Sequence, residues 1–166
     1  DASSGQPMTI KGVTLICNGE IYNYKQLYEL MNIKPTTNSD CEVIIRMYKK
    51  YGFEYTVSML DGGFALILFD NSDLSDDPKI YVARDPFGVR PLYVLDVEKN
   101  GDYLNPSKNE SNVTSERVIA FASEVKMLSP FLGNTGTLKW CRANTTMIPK
   151  NGRIYDGDNL NQIYPI

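Results

Sequence analysis

Histidine is missing from all 166 residues. That absence excludes, within this chain, a Ser-His-Asp or Cys-His catalytic group, an HExxH metalloprotease and a His-ligated metal centre. Any hydrolysis carried out here needs another base. Cysteine is scarce: Cys17, Cys41 and Cys141 are odd in number and irregular in spacing, which fits neither a disulfide framework nor a zinc site. A reducing, cytoplasmic setting is the simplest expectation. No basic run or arginine-rich helix accompanies the net charge of −3, so nucleic acid is excluded as a partner. The longest clean apolar run, Phe64 to Phe69, falls far short of the ~20 residues of a membrane-spanning helix, and residues 1–7 do not read as a signal peptide.

What is present suits one folded domain with a real core: 42% hydrophobic and 22% charged residues. Met8 to Ile10 and Val13 to Cys17 form a hairpin pattern about Lys11-Gly12. The second strand is expected to end at Asn18-Gly19, with Asn23 capping a short helix through Met31. Ser39, Asp40, Cys41 and Glu42 have the spacing of a capping box. Val43, Ile44, Met47, Tyr48 and Tyr51 then form an apolar stripe that Gly52 stops. A further helix is expected over 54–60 and a buried strand over 63–70. Strands follow at 79–84, 91–95 and 117–122, the first two separated by a tight turn at Asp85-Pro86-Phe87-Gly88. Arg84 and Arg90 read as structural anchors beside that turn. Residues 98–116 are charged, rich in Asn and Ser and aperiodic, as in an exposed insertion. A short helix with Ser123 as cap comes next, and β-like runs about Asn151-Gly152 close the chain. The alternation of strands and turns favours an antiparallel, α+β arrangement.

Polar groups gather where the second strand ends: Asn18, Gly19 and Glu20 follow a buried run directly. On their own, Asn18-Gly19 fit a plain turn, and Asp40 fits a carboxylate complementing a helix N-terminus. Cys17 and Cys41 read as small packed residues rather than nucleophiles.

Five collinear blocks carry a family likeness. Asn18-Gly-Glu-Ile-Tyr-Asn23, Ser39-Asp-Cys-Glu-Val43, Leu60-Asp-Gly-Gly-Phe-Ala65, the run from Ala83 to Tyr93 and the run from Phe121 to Leu128 resemble the glutaminase domain of glutamine-hydrolysing asparagine synthetases. The resemblance implies a class II glutamine amidotransferase: an N-terminal-nucleophile αββα sandwich of antiparallel sheets. In that family an N-terminal cysteine attacks the glutamine amide, its own α-amino group serves as base, and the ammonia released travels to a second domain. It further implies that Asn18, by its side-chain amide, and Gly19, by its N–H, form an oxyanion hole, and that Glu20 and Asp40 hold the glutamine α-ammonium group. No stretch here matches the family's cysteine, its carboxylate-binding arginine or its synthetase domain, which uses ATP and magnesium. The expectation is therefore a partial glutaminase domain, incomplete at its N-terminus and inactive alone, with no cofactor or metal of its own. Its partners would be glutamine, the missing segment and the synthetase domain, with homodimerisation left open. Two alternatives remain: a non-catalytic glutaminase-like binding module, or the glutaminase domain of another class II amidotransferase, acting on a phosphoribosyl or fructose-phosphate acceptor.

Overall fold

The structure is a computed structural model, which describes residues 5–73, 78–99, 116–133, 136–143, 146–150 and 153–156. It divides into two compact units, residues 1–90 with 142–166, and residues 91–141.

The first unit is built on β1 (Met8–Ile10), β2 (Val13–Ile21), β3 (Gly62–Asp70), β4 (Lys79–Arg84), β8 (Thr146–Lys150) and β9 (Arg153–Asp156). They form one antiparallel sheet in the order β1-β2-β3-β4-β8-β9. The β1–β2 turn closes as the sequence predicts. Lys11 (φ 47°) and Gly12 (φ 81°) both take positive φ, the pairing that matches strand twist in a two-residue hairpin. Three helices, α1 (Tyr24–Met31), α2 (Glu42–Tyr51) and α3 (Phe53–Met59), supply the apolar partners for one sheet face. Val13, Leu15, Cys17 and Ile21 of β2 and Phe64, Leu66 and Leu68 of β3 share a core with Leu27, Met31, Val43, Ile44 and Met47. The period-two alternation of β2 is what makes this possible, since every second side chain reaches the helices.

Local readings need correction at three places. Asn23 does not cap α1 with its side chain. Its amide instead donates to the Met59 carbonyl (2.8 Å) and accepts from the Asp61 N–H (3.1 Å), tying the exit of β2 to the α3–β3 connection. The capping box does not form: α2 starts at Glu42, and Cys41 holds the cap position without a side-chain bond. Glu42 is fully buried, so its carboxylate takes nearer donors, the N–H groups of Thr36 and Thr37, the Thr36 hydroxyl and Arg46. Ser123 is likewise no cap, because the short helix α4 (Val125–Leu128) begins after Glu124.

The second unit contains β5 (Tyr93–Lys99), β6 (Glu116–Ala122), α4 and β7 (Thr137–Trp140), with strand order β6-β5-β7. Leu95, Val97 and Leu128 form its core. Tyr93 and Trp140, register partners across β5 and β7, meet edge to face at 4.7 Å. Of the expected insertion at 98–116, residues 100–115 lie outside the described residues. β5 runs to Lys99, beyond the predicted limit at Leu95, because it pairs with β6 over its whole length.

Candidate active site

The Asn18-Gly19 pair is not a turn. β2 continues through it to Ile21, with Asn18 opposite Ala65, Gly19 opposite Phe64, Glu20 opposite Gly63 and Ile21 opposite Gly62. Glycine on both strands is the reason. A Cβ on Gly19 (φ 155°) would stand 2.2 Å from the Gly63 carbonyl oxygen, and one on Gly62 would stand 2.2 Å from that of Glu20. The two backbones approach closely because neither carries a side chain there.

Strand parity then sorts the polar groups. Asn18 and Glu20 point to the sheet face away from the helices, and both are exposed. Backbone groups sort the same way between the two edges of the strand. The Cys17 N–H and C=O bond on the edge away from β3, to the side-chain amide of Gln6 at 2.6 and 2.8 Å. The Ile21 N–H bonds on that same edge, to Oδ2 of Asp40 at 2.6 Å. Gly19 lies midway between them, so its N–H faces that edge too, while its carbonyl oxygen is 4.0 Å from the Cys41 thiol. Among the described residues no strand covers this part of the edge.

The loop ahead of α2 thus carries Asp40, half-buried, to the end of β2, and Asn18, Gly19, Glu20 and Asp40 all lie within one short stretch of strand and its flank. Asp40 occupies the turn before α2 rather than its first helical turn. Its other oxygen, Oδ1, has no bonding partner among the described residues.

Support comes from below. Asp85, fully buried, accepts from the N–H groups of Phe64, Phe87, Val89 and Arg90. Arg84 donates to the carbonyls of Gly88 and Arg90, each at 2.6 Å. The turn after β4 is therefore locked onto Phe64, the residue facing Gly19, and Arg84 and Asp85 are structural, as the sequence suggests. All three cysteines are buried, and the hydrogen bond with Cys41, together with burial, pushes the Cys17 thiol well above its ordinary range and keeps it protonated. Among the described residues no group of three or more His, Cys, Asp or Glu side chains is arranged to hold a metal. Nor is any helix long and apolar enough to cross a membrane. Gln6 is the participant that sequence reading misses. The signal available was a side-chain amide one residue before Pro7, at a strand start where the proline supplies no N–H.

The model of the glutamine amidotransferase domain family matches residues 1–151. The chain belongs to this family. Within it the chain is similar to asparagine synthetases. It is 40% identical over 114 residues to a probable glutamine-hydrolysing asparagine synthetase of Acanthamoeba polyphaga mimivirus, covering 68% of this chain and 17% of that protein. It is 46% identical over 91 residues to the glutamine-hydrolysing asparagine synthetase of Gallus gallus, covering 53% of this chain and 16% of that protein. The chain thus spans about a sixth of the length of these relatives. In fold, this glutamine amidotransferase domain resembles the glutamine phosphoribosylpyrophosphate amidotransferase of B. subtilis, solved with ADP and GMP, with TM-score 0.65 at 22% identity, over 93% of this chain and 32% of that one. A structure described as the allosteric regulatory enzyme of purine biosynthesis matches with TM-score 0.64 at 21% identity, over 92% of this chain and 30% of that one. The fold class is therefore α+β, of the N-terminal-nucleophile amidotransferase type with antiparallel sheets.

Proposed function

We infer that this domain is the glutaminase portion of an asparagine-synthetase-type enzyme and that the end of β2 is its oxyanion and ammonium-binding half-site. In this reading an N-terminal cysteine from outside these 166 residues attacks the side-chain amide of glutamine, with its own α-amino group as base. The Asn18 side chain and the Gly19 N–H receive the negative charge of the tetrahedral intermediate, two fixed donors of which each is worth on the order of 10²–10³ in rate. The carboxylates of Glu20 and Asp40 receive the glutamine α-ammonium group. The intermediate collapses to a thioester, ammonia leaves, and water then releases glutamate and restores the thiol. The ammonia would be used by a synthetase portion, which would bring its own ATP and magnesium, to amidate aspartate in a cytoplasmic setting.

The observation that carries this reading is the Gly19 N–H, uncovered by any strand among the described residues and flanked by a clamp at Cys17 and by Asp40 at Ile21. The test is glutamate release from glutamine by the 166-residue chain, with and without a segment that begins in cysteine and is joined covalently or added as a partner. Activity is expected only with that segment. Hydrolysis by the isolated chain that survives Cys17→Ala and Cys41→Ala would sink the assignment of the nucleophile. No hydrolysis with the segment supplied would favour a binding module without catalysis.

A further inference from the structure

β1 begins only at Met8, yet pairing on its side of β2 goes one step further by a different route. The β1–β2 register sets Met8 opposite Leu15 and Ile10 opposite Val13. Continued, it would set residue 6 opposite Cys17. The backbone of Gln6 does not make that pair. Its side chain does, with Oε1 accepting from the Cys17 N–H at 2.6 Å and Nε2 donating to the Cys17 carbonyl at 2.8 Å. A primary amide is the one side-chain group that offers a donor and an acceptor spaced like a peptide unit.

We propose that Gln6 is a positioning residue for the oxyanion donor, acting through Cys17 on the direction of the Gly19 N–H. The proposal rests on the glutaminase reading given above. A full strand continued in this register would consume the next N–H on the edge, that of Gly19. A side chain reaches one residue and stops. Gln6 therefore fixes the strand without occupying the donor. Among the described residues, the edge of β2 between Gln6 and Asp40 has only the long contact from the Cys41 thiol to the Gly19 carbonyl. The Asn18–Gly19 peptide is held at its carbonyl by the ladder to β3, where Asn18 faces Ala65, and on the open edge the direction of its N–H is trimmed by the clamps on either side of it. Loosening the Cys17 clamp lets that direction drift, and an oxyanion donor that is mispointed fails in the transition state more than in substrate binding.

The test uses protein bearing the N-terminal cysteine segment, with active sites counted by stoichiometric alkylation of that cysteine, so that loss of folded molecules is not read as loss of rate. Gln6→Ala is expected to lower kcat per counted site about tenfold while KM for glutamine changes less than about twofold, the split of an interaction made in the transition state. Gln6→Glu keeps the size and the acceptor and loses the donor at neutral pH. Its kcat relative to wild type at the same pH is expected to be low at pH 8 and to rise towards pH 5, as the carboxyl gains a proton it can donate. If the alanine variant does not fold, the glutamate variant carries the test. An active wild type whose variants keep kcat per counted site within twofold at every pH overturns the role of Gln6 alone. A wild type that does not hydrolyse glutamine overturns the glutaminase reading and this proposal with it.

Discussion

Asp40 and Glu42 lie two residues apart in one turn and are put to opposite uses. Glu42 is fully buried and saturated: Thr36 N–H at 3.0 Å, Thr36 hydroxyl at 2.8 Å, Thr37 N–H at 2.6 Å and the Arg46 guanidinium at 2.8 Å all converge on it. Burial alone would raise its carboxyl. The hydrogen bonds from Thr36, Arg46 and Thr37 outweigh that and hold it down at about 2. Asp40 is half-buried and accepts a single bond, from Ile21, among the described residues. A carboxylate whose lone pairs are spent on the chain around it organises structure. A carboxylate that spends one and stands at an open edge has capacity for a ligand.

The largest effect that separates the two acids is on stability. Glu42→Gln is expected to cost about 3 kcal/mol at pH 7, read from the chemical denaturation midpoint, because Arg46 and the Thr36 and Thr37 donors lose a charged acceptor. The same carboxyl gives the wild type its own pH dependence. Its folded value, about 2, lies below the ordinary 4.5. The stabilisation is therefore fully present above about pH 5 and is lost as pH falls towards 2, a slope that should flatten in Glu42→Gln. A variant with unchanged acid unfolding would mean that this cluster contributes nothing.

Asp40→Asn should leave stability nearly intact, since its amide oxygen can still accept from Ile21. In protein carrying the N-terminal cysteine, KM for glutamine should rise on the order of tenfold, about 1.4 kcal/mol, if Asp40 meets the ammonium group as proposed. Equal losses of stability in Asp40→Asn and Glu42→Gln would erase the contrast. Thr36→Val removes one hydroxyl from the Glu42 cluster, and a loss of about 1 kcal/mol in the same denaturation assay is expected. The smallest change is for an acid of a third kind. Glu124 pairs with Lys126 at 2.6 Å, but the two side chains are 60% and 75% exposed. Glu124→Ala should shift stability by less than about 0.5 kcal/mol, which would show that ion pairing without burial does not make a structural acid.

Much of the first unit is legible in the sequence because its signals are local. Lys11-Gly12 sets a hairpin, the stripe from Val43 to Tyr51 sets α2, and the apolar run after Gly63 sets β3. The readings that fail are those in which a side chain has a competitor outside the local pattern. Asn23 and Glu42 both look like capping residues until the Met59 carbonyl and the Thr36 and Thr37 amides come within reach. Asn18-Gly19 reads as a turn because its partner on the next strand, Phe64-Ala65, lies more than forty residues away in the chain. The resemblance named Asn18, Gly19, Glu20 and Asp40 as a group, and their placement about one strand end could not be read from periodicity. Gln6 escaped because a side chain acting as backbone leaves no pattern of its own.

The parity of β2 also bears on how this chain can vary in length. Side-chain facing and backbone-edge facing both repeat every two residues, and both are counted from the same turn at Lys11-Gly12. One residue inserted between Val13 and Leu15 would carry Leu15 and Cys17 out of the core and, in the same step, swing the Gly19 N–H from the open edge towards β3. Single-residue insertions and deletions in this strand are thus far less tolerable than substitutions. The distance in residues from the hairpin turn to Gly19 is as much a part of the site as the side chains around it.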